Sequence, residues 1–206
     1  FFGHTLPSTQ ADVVITFSVD GGMTFGSFFD VNTGTSTEVG IYLAETSPDD
    51  VLSNDGLFGF GLSLQLATAN TGEISAGTID NVFDFVATDV VASEFVRFEA
   101  ATFFNQPPTG SVIQLAEFEF TPIADGSSIF MLEDISPGIG TVNTSWLSGI
   151  GNELDHEIFG TSASGTFPLT LSATTAIPEP FLATPVTFGC VVCLIATRRR
   201  NDTAIV

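Results

Sequence analysis

The sequence predicts an all-β domain, an antiparallel β-sandwich or jelly roll, followed by a single C-terminal transmembrane helix. Residues 57–67 alternate almost without fault, placing Phe58, Phe60, Leu62, Leu64 and Leu66 on one face, and a period of two is the mark of a half-buried strand. Up to about residue 175 no window sustains a helical period over several turns; short apolar segments are broken by Gly, Asp, Asn, Ser and Pro. Residues 181–197 then form a nearly uncharged, mostly apolar run closed by Arg198, Arg199 and Arg200. The chain therefore divides into a β-domain over residues 1–175 and a tail over residues 176–206.

Composition points the same way. Phe supplies 21 of the 206 residues, against one Trp and one Tyr. With Val, Ile and Thr it favours pleated, half-buried surfaces. The first strand is expected at residues 13–19, ending in the turn Asp20-Gly21-Gly22. A second covers residues 38–44, and 57–67 is the clearest of all. Further strands are expected at 95–103, 111–122, 128–132 and 165–172. Turn clusters at Gln106-Pro107-Pro108 and Ala124-Asp125-Gly126 separate the middle ones. Residues 79–93 carry a weak helical pattern and would cross one end. About eight or nine short strands at this spacing describe a sandwich or jelly roll.

Charge is lopsided. The chain has no Lys, and its four basic residues are Arg97, Arg198, Arg199 and Arg200. Of 24 carboxylate residues only Glu179 and Asp202 lie beyond Ile177, so the preceding body holds 22 against Arg97 alone. Such a body is repelled by phosphate backbones and anionic lipid, which excludes nucleic acid as a routine partner. It attracts divalent cations and basic partners, and an acidic surface also keeps an exported protein soluble. Both cysteines, Cys190 and Cys193, fall inside the apolar tail, where they read as small apolar filler. The chain opens Phe1-Phe2-Gly3, and we read it as a mature or truncated form of an exported protein.

Three places in the β-domain carry a family likeness: residues 37–44; residues 56–66; and the stretch from Gly110 through Phe118-Glu119-Phe120-Thr121-Pro122 to Ser128. In order and pattern they resemble the jelly roll of cohesins and of related carbohydrate-binding modules, over residues 35–140. The family's Tyr-Asp-Pro after the long strand is replaced here by Ala67-Thr68-Ala69. The resemblance implies a cohesin-like β-sandwich.

The tail is more specific. Pro178-Glu179-Pro180 breaks the sheet pattern, and the apolar run that follows spans roughly 26 Å as a helix, close to a bilayer's hydrocarbon core. Three arginines on one side hold that end in the cytoplasm and put the acidic body across the membrane. The order of Pro-Glu-Pro, apolar helix and Arg cluster resembles the PEP-CTERM sorting signal of exported bacterial proteins. That resemblance implies an exosortase, a membrane-embedded cysteine protease, as partner. Pro178, Glu179 and Pro180 would be its recognition motif, with Arg198, Arg199 and Arg200 as stop-transfer charges.

The body offers little chemistry. With only His4 and His156, no Ser-His-Asp triad or His-rich metal site is supported. Asp49, Asp50 and Asp55 make an oxygen-rich segment; Leu52 spoils the EF-hand spacing, so a turn with Asx hydrogen bonds is the expectation and a looser Ca²⁺ loop the alternative. Residues 152–157 cluster His156 with Glu153, Asp155 and Glu157; a solvated loop is the expectation there, a metal site the alternative. Trp146 and Tyr42 are the candidates for sugar stacking, with a core or edge position as the other reading of Trp146. The expected function is a non-enzymatic, exported surface or extracellular-matrix protein with a structural or adhesive role. The alternative is a module binding extracellular polysaccharide, with or without Ca²⁺.

Overall fold

In the computed structural model the alternating segment at 57–67 lies within a sheet and pairs with three other strands. Residues 13–46, 51–104, 106–135, 146–151, 153–155, 158 and 167–176 are described, without the side chains of 88–92. Among them, in chain order, are β1 (Val13–Ser18), β2 (Phe28–Asn32), β3 (Thr37–Glu45), α1 (Val51–Asp55), β4 (Leu57–Leu66), β5 (Gly72–Ile79) and β6 (Phe85–Ala92). β7 (Phe95–Ala101), β8 (Val112–Pro122), β9 (Gly126–Asp134), β10 (Leu147–Ser148) and β11 (Phe167–Thr174) complete the set. One sheet has the order β1-β3-β8-β5; the other runs β2-β11-β9-β4-β7-β6, with β10 beside β4.

The core lies between the sheets. In β4 the even positions Phe60, Leu62, Leu64 and Leu66 are buried, as their period demands. Phe118 and Phe120 of β8 meet Phe130 of β9 with ring centroids 5.5 and 4.9 Å apart, joining one sheet to the other. Burying a side chain of this size stabilises the fold by roughly 1.5–3 kcal/mol.

Three expectations change. Residues 79–93 form no helix: Phe85–Ala92 is β6, paired with β7 from Phe85↔Ala101 to Ala92↔Phe95. The run Phe-Val-Ala-Thr-Asp-Val-Val is rich in β-branched residues, and a ladder partner decided what periodicity left ambiguous. Strands β2 and β5 were unexpected, since β2 is short and mostly exposed and β5 is built largely from small residues. The sandwich is also not wholly antiparallel. The chain changes sheets at a bridge between Phe17 and Gly26 (N–H···O 3.1 and 3.0 Å), and β2 then runs parallel to β11.

Gly149 fixes β10 against α1. Its N–H donates to the Gly56 carbonyl at 2.9 Å, and a Cβ at this position would overlap the Asp55 carbonyl oxygen. Gly149→Ala is therefore expected to lower stability by about 1–2 kcal/mol. Urea unfolding measures it, and an unchanged midpoint would show that β10 is not locked to α1.

By its internal contacts the chain divides into two units, Phe1–Thr175 and Ala176–Val206. Among the described residues no helix is long and apolar enough to cross a membrane. The expected helix at 181–197, with Pro178, Glu179, Pro180, Arg198, Arg199 and Arg200, lies outside them.

Candidate functional site

Of the residues singled out from the sequence, Tyr42, Asp55, Trp146, Glu153 and Asp155 lie among the described ones. Asp49 and Asp50 lie outside the described residues, and Asp55 ends the one-turn helix α1. Glu45, the last residue of β3, caps that helix: its carboxylate accepts from the Leu52 N–H (2.5 Å) and the Ser53 hydroxyl (2.6 Å). Leu52 is fully buried, and Gly56 takes φ +74° to turn the chain into β4. Among the described residues no group of three or more His, Cys, Asp or Glu is arranged to hold a metal ion.

Trp146 is fully buried, with its ring 5.6 Å from that of Phe60. The indole is a core residue and offers no open face for a sugar to stack on. Among the described residues of 152–158, Glu153 is exposed and the others are buried. Leu154, Asp155 and Ile158 are buried, and Leu154 N–H donates to the Trp146 carbonyl at 3.0 Å. Asn152, His156 and Glu157 lie outside the described residues.

Among the described residues Asp155 is the acid pushed furthest up. Burial, and then the hydrogen-bonded and negatively charged carboxyl of Asp134 beside it, push it up to about 7. The Trp146 N–H, at 3.3 Å from Oδ2, opposes them. The reverse holds at Asp20, held down at about 2 chiefly by the Thr24 hydroxyl (2.6 Å) and N–H (2.9 Å) and by the Ser18 hydroxyl (2.7 Å).

Two surfaces stand out. On the β1-β3-β8-β5 sheet, Glu38 and Glu119 are direct cross-strand partners with Glu117 next to them. Like charges so placed repel. The hydroxyls of Ser75 (3.1 Å) and Thr78 (2.8 Å) donate to Glu119 and Glu117, which relieves part of that repulsion. Burial, followed by the charges of Glu117, Glu38, Asp20 and Asp80, raises the pKa of Tyr42 on the same sheet.

The second surface is aromatic, at the Phe58 end of β4, where β6 begins and β7 ends. Phe103 packs edge-on against Phe58 (5.5 Å) and Phe85 (5.9 Å), and Phe104 follows in the open. The backbone beneath them is tied down on both sides. Asp84 accepts from the N–H groups of Phe103 (2.8 Å) and Phe104 (2.6 Å), and Thr102 donates its N–H (2.8 Å) and hydroxyl (3.1 Å) to the Phe58 carbonyl. By alternation, phenylalanines in strands are expected in the core, and these are not. The adjacency Phe103-Phe104 was the available signal, because consecutive residues of an extended chain point to opposite faces.

No family model matches this sequence, and no curated protein is significantly similar to it. The fold, however, is found among solved structures. The sixth cohesin of scaffoldin B from Acetivibrio cellulolyticus, solved with a mutant Cel5 dockerin, superposes with a TM-score of 0.51 at 10% identity, covering 79% of this chain and 98% of that one. The solution structure of a cohesin from Clostridium acetobutylicum gives 0.50 at 9% identity, over 83% and 96%. The body is thus a cohesin-like β-sandwich.

Proposed function

We propose that this chain is an exported bacterial surface or extracellular-matrix protein without enzymatic activity. Its cohesin-like domain has a structural or adhesive, protein-binding role, and its tail is a PEP-CTERM-type signal handled by an exosortase. The observation that carries the sorting part is the order Pro178-Glu179-Pro180, apolar residues 181–197, then Arg198-Arg199-Arg200. Proline fixes φ, removes a donor and keeps the preceding residue extended, so this tripeptide presents an extended strand to a protease groove. The arginines hold the far end in the cytoplasm.

Protein binding is supported by the fold, shared with a cohesin solved on a dockerin. Polysaccharide binding loses both of its candidate aromatics, since Trp146 is in the core and Tyr42 is buried. Mass spectrometry of the protein from its host tests the sorting part. Wild type is expected to lack Arg198–Val206. Replacing Pro178, Glu179 and Pro180 together by alanine should leave most molecules with an intact C-terminus in the membrane fraction. A mature wild-type protein that retains Arg198–Val206 would count against processing.

A further inference from the structure

We infer that the aromatic ledge formed by Phe58, Phe85, Phe103 and Phe104 is the domain's docking site for a partner protein whose apolar side chains are bordered by lysine or arginine. The inference rests on the protein-binding part of the function proposed above. Phe103 is 62%, Phe104 94% and Phe85 56% exposed. Large aromatic rings left in water at one place mark an interaction site rather than ordinary surface. Beside them Phe85, Phe103, Ala101 and Ile135 line an open hollow of about 270 Å³, room for an apolar side chain. The ledge is also preorganised: the bonds from Asp84 and Thr102 hold the backbone of the turn, so docking orders little that is not already ordered.

Charge selects the occupant. Glu99 lines the hollow, and Arg97, the one Lys or Arg of residues 1–175, already pairs with it. A chain of formal charge −20 repels a second copy of itself and anionic lipid alike, and attracts a basic rim.

The test uses the full chain and short synthetic peptides in three sets: leucines bordered by lysines, leucines bordered by glutamates, and serines bordered by lysines. At physiological salt the leucine–lysine set is expected to bind best. The double variant Phe103→Ser/Phe104→Ser should weaken that binding about tenfold with only a small fall in unfolding midpoint, because Phe104 stands in water and Phe103 gives up only its edge contacts with Phe58 and Phe85. Asp84→Ala, which frees the turn but keeps every ring, should weaken it severalfold. Equal binding by wild type and the double variant would overturn the proposal, since general charge attraction would then explain it. So would equal binding of glutamate-bordered peptides, absence of binding by every set, or a dimer in sedimentation that the double variant dissolves, which would make the occupant a second copy. None of these outcomes bears on the sorting signal, which the C-terminal mass decides.

Discussion

Phe130→Ala is expected to destabilise the domain by about 3–5 kcal/mol, a large part of the roughly 5–15 kcal/mol that holds a domain of this kind folded. Phe130 is fully buried in β9, and its ring lies against Phe118 and Phe120 of the opposite sheet. Truncation removes the ring's transfer free energy and opens a cavity bounded by two rigid ladders, which cannot close over it without moving a sheet. Phe130→Leu, which keeps much of the volume, should cost about 1–2 kcal/mol. The same residue type supplies the control: Phe104→Ala removes an equal side chain from water and should stay within about 0.5 kcal/mol of wild type. Urea titration reads all three as midpoint shifts at constant slope. A loss below about 1.5 kcal/mol for Phe130→Ala would mean that the sheets do repack, and that Phe130 is not what joins them.

The contrast between Phe130 and Phe104 also shows how far the sequence could be read. β4 was legible because the residues of one face are all large and apolar, so only one register buries them. β5 was not, because Gly72, Ala76 and Gly77 put little apolar bulk on either face, and the strand exists through its pairing with β8. β6 was ambiguous for the opposite reason: its apolar residues are dense enough to fit both periods until β7 fixes one. Trp146 and the described residues Leu154, Asp155 and Ile158 mislead in a further way. Composition assigns an acid-rich stretch to solvent, but Leu154 and Ile158 anchor it in the core and draw Asp155 inside. Exposure of the Phe103-Phe104 pair depends on where β7 ends, and sequence pattern places ends least well.

Asp155 should make the domain less stable at pH 8 than at pH 5, and Asp155→Asn should remove most of that difference. Its carboxyl is raised to about 7 by burial and by Asp134, against 3.8 for an ordinary aspartate. The folded state therefore holds a proton that the unfolded chain gives up. That contribution is complete below about pH 4 and is lost as pH rises to about 7. Asp20 and Asp125 act in the opposite sense. Their pKa values are lowered, Asp20 to about 2 by Thr24 and Ser18, and Asp125 by the hydroxyls of Thr33 and Thr175. They favour the fold above the ordinary aspartate range and cease to do so only as pH falls through their lowered values. Between pH 5 and 8 they stay ionised and add no slope, so Asp155 sets the direction there. Its loss amounts to roughly 2–3 kcal/mol once water reaching the pair is allowed for, seen as a falling urea midpoint at pH 5, 6, 7 and 8. The ordinary histidine pKa falls in the same window, and the variant keeps both His4 and His156. Asp134→Asn should flatten the profile as well, because an amide donates to Asp155 instead of repelling it. A slope that survives in both variants would assign the pH dependence to the histidines and not to the acid pair at the end of β9.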